Sequence, residues 1–219
     1  MRFVNVQKCR SVFQMKSGKD QRMGNDYRWP ATGDKAFKIE FRSWGNADIE
    51  MCATRRMYLM ISGYKLIADQ AVDQIVASRD RYARDTMVYP IFFNYRHFIE
   101  ISLKAFIDEF AEEANVTVGK KNHQLMPLWK TYGLIIDEII GADRDKNAGE
   151  SVNSVISEFD KFDPNSFAMR YPTDVKGKQI VLPHGAFDLM GLKDVMEGVE
   201  NFFNGSLSYV SELVAASEY

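Results

Sequence analysis

Cysteine, histidine and proline are all scarce in this chain. Its 219 residues include only two cysteines, three histidines and six prolines. Cys9 and Cys52 are too few for a disulfide framework, so a reducing compartment is expected, most simply the cytosol. Three isolated histidines and two distant cysteines give no metal-ligand spacing, and neither a His-Glu-x-x-His pair nor a Gly-x-x-x-x-Gly-Lys-Ser/Thr loop occurs. No metal and no cofactor are therefore expected. No Gly-x-Ser-x-Gly elbow supports a serine hydrolase of that class. Long apolar runs are missing too: the opening "MRFVNVQKCR" has no signal-peptide core, and the most apolar long segment is interrupted by Lys65, Asp69 and Asp73. The expectation is a chain without a membrane span.

Charge is nearly balanced overall, at −2, but unevenly placed. Residues 1–45 carry ten Lys/Arg against four Asp/Glu, and the remainder carries eighteen against twenty-six, so a basic arm precedes an acidic body. The arm is punctuated by Gly18, Gly24, Pro30, Gly33 and Gly45. Its "KAFKIEFRSW" alternates Phe37, Ile39 and Phe41 with Lys38, Glu40 and Arg42, the period of a half-buried strand that could form a hairpin with "RFVNVQ".

Beyond residue 45 the period becomes helical, and the prediction is an all-α bundle of four or five helices over 46–219, with 1–45 as a short basic strand/loop appendage. The first helix runs on from Asp48, with Tyr58, Ile61, Lys65, Ala68, Val72, Ile75 and Val76 at helical intervals. A second begins near Tyr89–Pro90, the proline fitting a first turn, and ends about Asn115. A third opens at Asn122 or His123 and includes Leu128, Trp129, Leu134, Ile135 and Ile139. "GADRDKNAGE" reads as a polar loop, with a short helix starting at Ser151. The proline-rich "FDPNSFAMRYPTDVKGKQIVLPHG" is a connector that could hold a small hairpin across "VKGKQIVL". The final helix spans about Phe187 to Ala216, with Gly205 as its bend or break.

The stretch "FNYRHFIEISLKAFI" places charge inside a buried helix. At about 100° per residue, Phe92, Ile99, Leu103, Phe106 and Phe110 form one arc, and Arg96 projects into it. An arginine there must pair, snorkel or line a cavity, and Glu100 lies four residues on. His97, Lys104 and Asp108 share a polar seam with Glu100. Phe98, Ile101 and Ala105 form a second apolar arc, suited to the central helix of a bundle or to a dimer face. The aromatics Tyr58, Tyr64, Phe92, Phe93, Tyr95, Phe98 and Trp129 read as core.

"NYRHFIEISLKAFI", followed after a helix-sized interval by "NHQLMPLW", resembles the HEPN superfamily of small α-helical domains, with an "RHxIExxLKA"-like run and then a His-x-Leu entry to the next helix. "FDPNSFAMRYP" resembles a loop that some HEPN-like proteins of bacterial defence and toxin–antitoxin loci carry before their last helix. The resemblance spans roughly Tyr58 to Val214. It implies a homodimer and a role with RNA or with a partner protein in a bacterial or phage conflict system. Many HEPN proteins are metal-independent ribonucleases using an Arg-x4–6-His motif, in which arginine steadies phosphate charge and histidine moves protons.

This sequence departs from that motif. Positions 90–92 before His97 are Pro90, Ile91 and Phe92; those before His123 are Val116, Thr117 and Val118; those before His184 are Gly177, Lys178 and Gln179. The expectation is accordingly a module without the standard HEPN nuclease chemistry, in which Arg96, His97, Glu100, Lys104, His123 and Tyr171 organise the bundle or contact RNA or a partner. The connector around Asp163, Arg170 and Tyr171 shapes a groove near them. Three alternatives stay open: a metal-independent endoribonuclease with a displaced Arg170/His184 pair, a catalytic constellation built on Arg96, His97 and His123 where the second and third helices meet, and an antitoxin or regulator that binds its partner through the basic arm.

Overall fold

The computed structural model describes residues 29–37, 45–119, 122–141, 145–183 and 185–217. The chain divides into two compact units, Met1–Ala47 and Asp48–Tyr219. In the first, the described residues include a tight turn at Gly33 (φ 94°), closed by the Asp34 amide on the Ala31 carbonyl at 3.0 Å and by the Ala31 amide on the Asp34 carboxylate at 2.8 Å. The hairpin expected between "RFVNVQ" and "KAFKIEFRSW" lies outside the described residues.

The second unit is all-helical among its described residues: α1 (Ala53–Ser78), α2 (Arg81–Phe110), α3 (Leu125–Ile139), α4 (Lys146–Phe162) and α5 (Leu189–Ser217). Helices α1 and α2 form an antiparallel hairpin whose tight link is dictated by two residues. Arg79 takes the left-handed conformation that ends α1 (φ 55°), and the Asp80 carboxylate caps α2 by accepting from the amides of Tyr82 (2.8 Å) and Ala83 (3.2 Å).

That cap corrects the expected start of the second helix. The helix begins at Arg81, and Pro90 sits in its tenth position, on an exposed side. A proline there removes one N–H from the ladder, and thirty residues of helix tolerate the loss because the following helix is buried on almost every side. α2 ends at Phe110, earlier than expected, and turns lead to Asn115 in the left-handed region (φ 52°).

Helix α3 starts at Leu125, two or three residues later than Asn122 or His123. Its first amides are capped from another element: Asp160 of α4 accepts from Leu125 N at 3.0 Å and more weakly from Met126 N. α4 starts at Lys146, five residues before Ser151, because Asp145 within "GADRDKNAGE" caps the Ala148 amide at 3.0 Å. α5 starts at Leu189 under an Asp188 cap and continues as helix through Gly205, so the break expected as one option there does not occur. In the connector, Asp174 accepts from the amides of Lys176 and Lys178, both at 2.9 Å, around Gly177 (φ 76°). A single Thr173–Gln179 bridge stands where a hairpin was expected.

Helix α2 is the centre of this unit. Its first arc, Phe92, Ile99, Leu103, Phe106 and Phe110, is buried, and so is its second, Phe98, Ile101 and Ala105. Phe98 meets Phe203 of α5 and Phe106 meets Tyr132 of α3. Both arcs are therefore used inside one bundle. No helix among the described residues is long and apolar enough to cross a membrane.

Candidate functional site

Arg96 is among the largest fully buried side chains, at 1% exposure. A guanidinium that deep is tolerable only if its donors are matched, and each of its three nitrogens donates to protein. Nε donates to the Asp163 carbonyl at 2.8 Å, Nη1 to Glu100 Oε2 at 3.0 Å, and Nη2 to the His123 carbonyl at 2.6 Å. The arginine thereby joins the end of α4 and the entry to α3 to the middle of α2.

Glu100 collects the opposite charge. Its Oε1 accepts from Lys104 Nζ at 2.7 Å and pairs with His123 Nδ1 at 2.9 Å. Burial alone would raise its pKa. The hydrogen bonds and positive charges of Lys104 and His123 outweigh burial and hold the carboxyl below its usual range, so it stays ionised. Asp163 is also buried: its Oδ1 accepts from the amides of Phe167 (2.7 Å) and Ala168 (3.0 Å), while Oδ2 lies 4.0 Å from Arg96 Nε without a hydrogen-bond partner.

Four of the residues singled out in the sequence, Arg96, Glu100, Lys104 and His123, thus meet in one cluster. His97 stands beside it with a different role. Its ring stacks on Phe93 (5.6 Å, 7° between planes) and meets Tyr64 edge-on at 4.4 Å. Burial, joined by the charges of Lys104, Arg96 and His123, lowers its pKa against the single opposing pull of Glu100, which favours the neutral ring.

Arg170 and Tyr171 lie at the surface of the connector. Arg170 folds back so that Nε and Nη2 both donate to the Ser166 carbonyl, the former at 2.7 Å. Its guanidinium carbon sits 5.4 Å from the Phe93 ring, 5.3 Å from Phe167 and 5.6 Å from Tyr171. Phe93 is thus shared by Arg170 and His97. His184, the proposed partner of Arg170, lies outside the described residues.

A second buried cluster has its clue in Lys65, a charge on the core face of α1. Lys65, 3% exposed, pairs with Asp69 (2.6 Å) and with Glu200 of α5 (3.3 Å), and the Tyr95 hydroxyl donates to Asp69 at 2.7 Å. Asp69 stands one turn after Lys65, whereas no local pattern points to Glu200, 135 positions away. Shared use of Phe93, and Asp160 capping α3, were equally out of reach of periodicity.

Chemically, Arg96 acts as a clamp between three segments. A phosphate-stabilising arginine needs an open edge, and a general base needs reach to a substrate proton. Arg96 is sealed and His97 packs against two aromatic rings, whereas the His123 side chain, paired with Glu100, is 68% exposed. Among the described residues no group of three His, Cys, Asp or Glu is arranged to hold a metal ion. In comparisons with known proteins, no family model, no curated protein and no solved structure matches the chain.

Proposed function

We propose that this chain is an HEPN-like, non-catalytic module of a bacterial or phage conflict system that associates with RNA through its connector. The observation that carries this reading is the exposed Arg170 set over Phe93 and Phe167 beside a half-exposed Tyr171. A cation beside an accessible aromatic ring suits a phosphate and the face of an unpaired base, whereas Arg96 and His97 are committed within the fold. Self-association as a homodimer belongs to this reading. It is supported by Leu59, Leu66 and Ile67, 52–60% exposed at helical spacing on α1 around Gly63.

The test is binding of a fluorescein-labelled single-stranded RNA, with cleavage followed in excess chelator. Arg170→Ala and Tyr171→Ala should each weaken binding about 10-fold, with helicity intact and no cleavage by any form. Cleavage lost equally in Arg170→Ala and His184→Ala would instead establish the displaced-pair ribonuclease. Unchanged RNA affinity, with partner binding abolished by removal of residues 1–45, would favour the antitoxin or regulator.

A further inference from the structure

A groove of about 630 Å³ opens between α3, the start of α4 and α5, away from the clusters described above. Its walls are aromatic: Trp129 lies parallel to Tyr132 (5.1 Å, 14°) and tilted against Phe202 at 6.0 Å. The Trp129 plane is held by its Nε1–H bond to Asn153 Oδ1 at 3.0 Å. Gly133, Gly149 and Gly205, one from each helix, also line the groove, and a Cβ at any of them would meet nothing within 4 Å. Three helices therefore leave open backbone beside stacked rings.

Tyr132 lines the groove at 1% exposure, and its hydroxyl has no partner at hydrogen-bonding geometry. Such a group is destabilising unless something completes it. Burial raises its pKa, opposed only by the nearby Ser206, so the hydroxyl remains a donor. Ser206, half-buried on the groove wall, directs its own proton to the Phe202 carbonyl at 2.8 Å. That proton can turn from the Phe202 carbonyl to an acceptor in the groove, and Ser206 Oγ keeps its lone pairs in either orientation.

Charge narrows the occupant. Lys130 and Lys146 at the rim are balanced by Asp145 and Glu150, and the Asp145 carboxylate already caps the Ala148 amide at the α4 start and sets negative charge where an anion would be drawn. We propose that this groove binds a neutral, flat heteroaromatic molecule, stacked beside Trp129 and hydrogen-bonded through a ring acceptor to Ser206. This site is independent of the RNA reading.

The experiment uses the full chain carrying Trp29→Phe and Trp44→Phe, which leaves Trp129 as the sole indole N–H resonance. Quinoline, neutral at pH 8, should shift that resonance with a Kd on the order of 100 µM, and naphthalene, of the same shape without the acceptor, should bind about 10-fold more weakly. Ser206→Ala should bring quinoline to the level of naphthalene, and Gly133→Leu should abolish both shifts while circular dichroism is unchanged. Gly205→Leu repeats the blockade should the first variant fail to fold. No shift with millimolar quinoline, or a shift that survives a folded blocking variant, overturns the site. Equal affinity for quinoline and naphthalene overturns the hydrogen-bonded mode.

Discussion

Arg96 donates from all three guanidinium nitrogens to groups on three separate segments, so its removal leaves Glu100 short of a partner and two carbonyls without donors. Arg96→Ala should lower unfolding free energy by about 3–5 kcal/mol in urea titrations. Arg96→Lys should recover little of it, since an ammonium lacks the planar fork. His97 supplies the pH dependence. Its folded pKa lies below the ordinary value of 6.5, so the stability it contributes is complete above that value and is lost as pH falls toward the folded pKa. The urea midpoint should drop between pH 7.5 and 5, and His97→Phe should flatten that drop. Glu100, with a depressed carboxyl pKa, acts the same way only below about 4.5 and stays outside this window. Helical spacing made the Arg96–Glu100 pair legible. The carbonyls of Asp163 and His123 were not, because backbone acceptors on loops have no residue-type signature.

At the level of elements, caps decide where helices begin. Asp80 and Asp145 each close a first turn, and Asp145 was obscured by polar surroundings that read as loop. Asp145→Ala should cost about 1 kcal/mol of stability in thermal or urea unfolding. Gly205 lies inside continuous helix with open space around its Cα, so Gly205→Ala should stabilise by about 0.5–1 kcal/mol; a loss would point to a backbone requirement there. Hydrophobic spacing revealed the helices and the two buried arcs of α2. It misplaced starts because apolar periodicity records burial, and the first turns of α2 and α4 are largely exposed. Pro90 misled for a related reason: a long, buried helix outweighs one missing hydrogen bond.

For the whole molecule, the reading to challenge is association without cleavage. If Leu59, Leu66 and Ile67 carry self-association, Leu66→Glu with Ile67→Glu should convert a dimer to a monomer in light scattering without loss of helicity, at micromolar concentration. A wild-type monomer would remove the homodimer from the proposal. The Arg96 clamp also bears on motion. One side chain holds both the entry to α3 and the loop after α4 against α2, and two segments 40 positions apart are thereby made to share a latch. Hydrogen exchange should find them opening together: in Arg96→Lys, amides near 124–126 and 166–168 should lose protection by the same factor, as parts of one cooperative unit.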